Sequence, residues 1–183
     1  FNATHRLIEK AVRSNMQSVF TDCPHREKLG WLEQTHLNGP GLLYNYDLRS
    51  YIPKIMQDMA DAQMPNGAMP SIAPQYVIFE GAGLEPFAES PEWGSALVIL
   101  PFMYYEFYGD NSLIKKYYRQ MRAYVDYLGT RAENHIVSFG LGDWYDYKEG
   151  VKAGFSVNTP VPLVATAHYY MTIKYLTEAA GMV

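Results

Sequence analysis

The order in which helical and irregular segments alternate is what most constrains the fold. Three long stretches, 21–48, 65–93 and 129–159, are rich in Gly, Pro and aromatic residues, whereas one connection, 108–111, is very short. The stretches between them carry apolar residues at helical spacing. Leu7, Ile8, Ala11, Val12, Met16, Val19 and Phe20 predict a helix to about Phe20, capped by Thr4. Tyr51, Ile52, Ile55, Met56, Met59 and Ala60 predict a second, capped by Ser50, with Pro53 tolerable in its first turn. Residues 35–48 hold a further helix interrupted at Asn38-Gly-Pro-Gly41, and Ala96–Tyr108 reads as a helix buried almost all round. Asp110 caps the next helix, Asn111 to Leu128, and Gly129 stops it. Pro160 and Pro162 open a last helix to about Ala180. Helical hairpins that send long loops to one end and short ones to the other predict an all-α chain of the α/α toroid kind. Long loops inside a compact fold are usually functional.

Composition removes several function classes. A chain of 183 residues, 48% of them hydrophobic, is long enough for one core. A net charge of −4 without a basic run argues against nucleic acid or an anionic membrane surface as partner. The single cysteine, Cys23, excludes an internal disulfide or a Cys-rich zinc site, and the five His residues show no H-E-x-x-H spacing. No run reaches transmembrane length and no signal peptide is visible. Aromatics make up 15% of the chain, with 16 Tyr and 3 Trp. That excess serves helix packing and sugar stacking alike.

The chemistry concentrates in Asp22-Cys-Pro-His-Arg-Glu-Lys-Leu-Gly-Trp-Leu-Glu-Gln34. Three carboxylates (Asp22, Glu27, Glu33), Arg26 and Trp31 in one Pro- and Gly-punctuated stretch suit a polar, neutral, ring-shaped ligand. Carboxylates and Arg hydrogen-bond hydroxyls, an indole covers an apolar ring face, and one carboxyl can be tuned to give a proton. Trp93 and Trp144 sit in the other long loops beside Pro or Gly, with Asp143 next to Trp144. Each residue also has a plainer use. Asp22 can cap a turn, Arg26 can pair with Glu27, Glu27 can pair with Lys28, Asp143 can serve a turn, and a lone Trp usually packs a core.

The stretch D-C-P-H-R-E-K-L-G-W, residues 22–31, resembles the signature of the bacterial α-L-rhamnosidases of glycoside hydrolase family 78. Gln63-Met-Pro-Asn-Gly-Ala-Met-Pro-Ser-Ile-Ala-Pro74, Pro91-Glu-Trp-Gly-Ser-Ala96 and Gly142-Asp-Trp-Tyr145 resemble further segments of that family in the same order. The resemblance implies an (α/α)6 six-hairpin barrel. The five or six helices predicted here make about half of one, so residues 1–183 read as a single unit, the N-terminal part of the catalytic domain. It implies an inverting glycosidase releasing terminal α-linked L-rhamnose, with no metal or organic cofactor. By that likeness Glu27 is the general acid, Asp22 and Arg26 contact sugar hydroxyls, and the general base is a Glu beyond this chain. Trp31, Trp93, Trp144 and Asp143 are added as substrate-binding residues. Gln34 stands where the family often has Asp, so Glu33 is taken as its substitute. The implied partners are a rhamnose-containing oligosaccharide or glycoside and the remainder of the domain, in a bacterial cytoplasm or periplasm. Another six-hairpin glycosidase or uronyl hydrolase, and a non-catalytic carbohydrate-binding module, remain open at this level.

Overall fold

The computed structural model describes residues 1–183, and every regular element in it is helical. The helices are α1 (Asn2–Asn15), α2 (Glu33–Leu37), α3 (Gly39–Asn45), α4 (Tyr51–Ala62), α5 (Pro91–Gly94), α6 (Ala96–Tyr108), α7 (Ser112–Arg131) and α8 (Val161–Ala180). Extended pairing is limited to isolated bridges such as Trp31 with Ile72. No helix is long and apolar enough to cross a membrane.

The core is one cluster of 31 buried residues centred on α6. Its residues Ala96 to Tyr104 are all buried, because α4, α7 and α8 each pack against a different side of it. α6 and α7 form the tight hairpin expected from the short link. Gly109 ends α6 in the left-handed region at φ 69°, which its lack of a Cβ permits. The Asp110 carboxylate then accepts the Ser112 amide at 2.8 Å to start α7. α4, α7 and α8 each present a stripe to α6. Met56, Met59, Ile114 and Met121 are fully enclosed there, each contributing roughly 1.5–3 kcal/mol of burial.

Four expectations about helix ends are corrected. α1 stops at Asn15 rather than Phe20. The Ser14 hydroxyl and the Asn15 amide both bond the Ala11 carbonyl, and the Asn15 carbonyl turns to accept the Thr21 amide. Polar side chains that capture nearby backbone compete with the helix ladder. α1 begins at Asn2, so Thr4 lies inside it, and Ser50 makes no side-chain capping bond. Gly129 lies within α7, which runs to Arg131. There Arg131 bonds Glu89 at 2.5 Å and covers the Phe139 ring at 4.2 Å, which holds the extra turn.

Not all apolar surface is covered. α1 has no buried residue, and its Leu7 and Ile8 are 65% and 57% exposed. On α8, Leu163, Tyr170 and Ile173 are exposed as well.

Candidate active site

The three long loops meet at one end of the bundle. Gly30 and Leu32 pair with Ala73 and Ser71 through hydrogen bonds of 3.1 and 2.9 Å. A Cβ on Gly30 would stand 2.5 Å from the Ala73 carbonyl oxygen, so only glycine allows this approach. Ser71 in turn donates no side chain outward: its hydroxyl accepts the Ser90 amide at 2.9 Å, and the Ser90 hydroxyl accepts the Leu141 amide at 2.8 Å. Serine to serine, this chain of bonds ties loops 16–32, 63–90 and 132–160 together.

Residues 22–29 form a closed turn. The Asp22 carboxylate accepts the Leu29 amide at 3.1 Å, and the Asp22 amide returns a bond to the Leu29 carbonyl at 3.2 Å. Cys23 is half-buried, and its sulfur accepts the Glu27 amide at 3.2 Å. Lys28 takes a positive φ of 58°, and its carbonyl is held by the Tyr76 hydroxyl. Glu27 is thereby carried to the rim, where its Oε2 accepts the Trp31 indole N–H at 3.1 Å.

An aromatic wall follows from Trp31. It stacks on Phe79 at 5.2 Å and meets Phe87 and Trp93 edge-on at 6.2 and 6.3 Å. Phe87 continues the wall to Trp144 at 5.1 Å, and Trp144 to Phe155 at 5.7 Å. Edge-to-face contacts at these separations fix ring orientation as well as burying area.

Between this wall and the 22–34 segment lies a cavity of about 500 Å³. Among its lining residues are Asp22, Glu27, Trp31, Glu33, Trp93 and Trp144, six of the residues expected from sequence. The other two are not in the lining. Arg26 is exposed and makes no ion pair, and Asp143 is exposed beside Trp144. Asp143 is nonetheless near enough to raise the pKa of Glu33. Phe79, Leu84 and Phe87 also line the cavity. Sequence reading passed over them because single apolar residues in a loop carry no periodic signal.

The electrostatics single out two carboxyls. Glu33, the first residue of α2, is pushed up from 4.5 to about 8, first by burial and then by the charges of Glu92 and Asp143. Glu92, wholly buried, is pushed up to about 7 by burial, against the Ser90 hydroxyl and backbone amides that favour its charged form. No cation pairs with either. The nearby His36 is driven down to about 4 by burial and is neutral at neutral pH. Its Nε2 lies 2.9 Å from the Glu92 carbonyl oxygen, which only accepts, so the proton sits on Nε2. A half-buried carboxyl that keeps its proton near neutrality can donate a hydrogen bond or a proton to a ligand oxygen. Glu92 escaped sequence reading, although a charge inside the otherwise apolar run 91–104 is a visible signal.

Residues 1–183 match the family described as the bacterial alpha-L-rhamnosidase 6 hairpin glycosidase domain. Over 188 residues the chain is 33% identical to an alpha-L-rhamnosidase of Formosa agariphila, covering 100% of this chain and 20% of that protein. It is 29% identical over 170 residues to an alpha-L-rhamnosidase of Streptomyces avermitilis, covering 92% of this chain and 15% of that one. Among solved structures, the alpha-L-rhamnosidase from Dictyoglumus thermophilum superposes with a TM-score of 0.86 at 27% identity, over 99% of this chain and 19% of that one. The Streptomyces avermitilis alpha-L-rhamnosidase complexed with L-rhamnose gives 0.85 at 26% identity, over 99% and 16%. The chain therefore spans between 15% and 20% of the length of these relatives.

Proposed function

Because this chain belongs to the bacterial alpha-L-rhamnosidase six-hairpin glycosidase family, we propose that it carries the proton-donating side of an inverting α-L-rhamnosidase active site. Residues 1–183 are then the N-terminal part of an (α/α)6 catalytic domain, and the rest of that domain is the first partner. The exposed Leu7, Ile8, Leu163 and Ile173 support this, since further helices would bury them. The observation that carries the reading is the convergence of Asp22, Glu27, Trp31, Glu33, Trp93 and Trp144 on one cavity.

In this reading Glu27 protonates the glycosidic oxygen. The Trp31 indole holds one of its oxygens and leaves the other to carry the proton. A carboxylate outside residues 1–183 activates water on the opposite face, about 6.5–9.5 Å away as inversion requires. Asp22 has one oxygen committed to Leu29 and the other free for a sugar hydroxyl. Glu33, protonated, donates to a second hydroxyl, with Arg26 and Asp143 at the rim. Trp31, Trp93 and Trp144 cover the methyl-bearing edge of the 6-deoxy sugar. The chemistry asks for no metal or organic cofactor.

The raised pKa of Glu33 favours a second assignment, with Glu33 as the acid. Aryl rhamnosides of graded leaving-group acidity separate the two in the full-length protein. General acid catalysis contributes about 10²–10⁴-fold, and an activated leaving group does not need it. Glu27→Gln should lose about that factor on poor leaving groups and little on the best. Glu33→Gln should lose activity on both alike. The opposite pattern makes Glu33 the acid. Proton NMR of the first sugar released tests inversion, and a retained anomer refutes the single displacement.

A further inference from the structure

Glu92 is the least expected charge in the molecule. It sits in α5 between Pro91 and Trp93, has 0% exposure, and its Oε1 has no hydrogen-bond partner. Its Oε2 accepts the Ser90 hydroxyl at 2.5 Å, the same hydroxyl that receives the Leu141 amide. The Gly142 amide also favours its charged form. A Cβ on Gly140 would lie 3.0 Å from Oε2 and 2.6 Å from the Ser90 hydroxyl, so the 140–142 backbone is pressed onto this pair. Two residues on, the chain delivers Trp144 to the cavity. Buried carboxyls are ordinarily paired with a cation or fully hydrogen-bonded. This one has neither, and its charge is felt by Glu33 in the cavity lining.

We propose that Glu92, which no ligand can reach, is the positioning residue of this site: it fastens the turn that carries Trp144 and makes Glu33 a hydrogen-bond donor to the ligand. The inference rests on the glycosidase reading only for the nature of that ligand.

The surroundings leave Glu92 as the lever. Burial raises Glu33 most, and beyond burial it feels Glu92 from α5 and Asp143 from the 132–160 loop. Glu27 and Asp22 face the same cavity. Glu92 faces His36 of α2 and Tyr124 of α7, whose hydroxyl contacts the Pro91 carbonyl at 3.4 Å. Behind His36 stands His168 of α8, ring centres 6.2 Å apart, and burial lowers its pKa too. Both imidazoles are thus uncharged near neutrality, and Tyr124 is held neutral by burial. The Arg131 guanidinium is engaged by Glu89, and no ion pair reaches Glu33 or Glu92. No positive charge intervenes, so the two carboxyls compete for ionisation as a coupled pair. Glu92 ionises first, so removing its charge must ease ionisation of Glu33.

The test reads the proton directly and does not depend on the substrate. Full-length protein labelled at glutamate Cδ is titrated by carbon NMR. The signal lost in Glu33→Gln is that of Glu33, and the signal lost in Glu92→Gln that of Glu92. In Glu92→Gln the Glu33 signal should titrate at clearly lower pH than in wild type. If Glu92→Gln does not fold, wild type still tests the coupling: the Glu92 signal should titrate first and the Glu33 signal above it. An unchanged Glu33 titration in Glu92→Gln, or a wild-type Glu33 that ionises before Glu92, overturns the proposal. Amide exchange at Leu141 and Gly142 should speed up in Glu92→Ala, and unchanged exchange refutes the tether. With an aryl rhamnoside, Glu92→Gln should lose on the order of tenfold in kcat/KM, the value of one charge-coupled hydrogen bond, with its alkaline limb at lower pH. If the NMR shift occurs and no rhamnoside is hydrolysed by wild type, the coupling holds and the glycosidase reading fails.

Discussion

Replacing Glu33 by Gln should make the protein more stable at high pH and leave it unchanged at low pH. The folded-state pKa is raised from 4.5 to about 8. A carboxyl raised in the folded state costs nothing below its unfolded value, because both states are then protonated. As pH climbs, the unfolded chain gives up the proton first, and stability is lost progressively until the folded group ionises as well. Each pH unit between the two values removes about 1.4 kcal/mol. The penalty is therefore about 3 kcal/mol at pH 7 and levels off near 5 kcal/mol above pH 8. Part of it belongs jointly to Glu92, and burying an amide recovers less than the whole. A gain of about 2 kcal/mol at alkaline pH is the working figure. Urea unfolding followed by tryptophan fluorescence suits the measurement, because Trp31, Trp93 and Trp144 all border the cavity. Wild type should lose stability between about pH 5 and pH 8, and Glu33→Gln should lose distinctly less. Parallel pH profiles for the two proteins would show that Glu33 ionises normally, and the proton-holding argument would collapse.

Gly30→Ala should destabilise the fold by about 2 kcal/mol, since its Cβ would strike the Ala73 carbonyl oxygen at 2.5 Å; an unchanged urea midpoint would mean the Trp31–Ile72 bridge is loose. Asp146 is held down at about 2 by the Asn158 and Val157 amides. Its contribution is present above the unfolded value of 3.8 and is lost as pH falls through about 2. Asp146→Ala should accordingly speed amide exchange at Val157 and Asn158 at neutral pH and leave the α6 amides protected.

How much of this was readable in advance differs by kind of residue. Helices with one apolar stripe were plain. The α4 residues Ile52, Ile55, Met56 and Met59 are all buried, as their spacing predicts. Helix ends were harder, because they depend on who captures the last carbonyls. Val19 and Phe20 keep helical spacing and are buried, yet Asn15 and Thr21 divert the backbone before them. Gly129 looked like a stop because the cation–aromatic contact holding the extra turn comes from Phe139, beyond any local pattern. The long loops were legible as loops, and the Asp22–Gln34 segment as chemistry. Which of its carboxyls keeps a proton was not legible, since that depends on burial in the folded chain and then on Glu92, 59 positions after Glu33 in sequence.

Glu33 and Glu92 together expose what the fold gives up for this cavity. Burial is the largest cause of both raised values, and neither carboxyl has a cation. Glutamine would fill nearly the same volume, offer the Ser90 hydroxyl the same acceptor and carry no ionisation penalty. On stability alone two glutamines are the better choice. Local choices that weaken a fold without a packing gain mark sites where function decides. Glu89, fewer than five residues from Glu92, makes the contrast: it is partly exposed and paired with Arg131 as an ordinary surface carboxylate. A cation was therefore within reach of this part of the chain, and it was set against Glu89 rather than against Glu92. Leaving the inner pair without a counterion is what keeps a proton in the cavity near neutral pH, and a lysine or arginine beside Glu92 would discharge it.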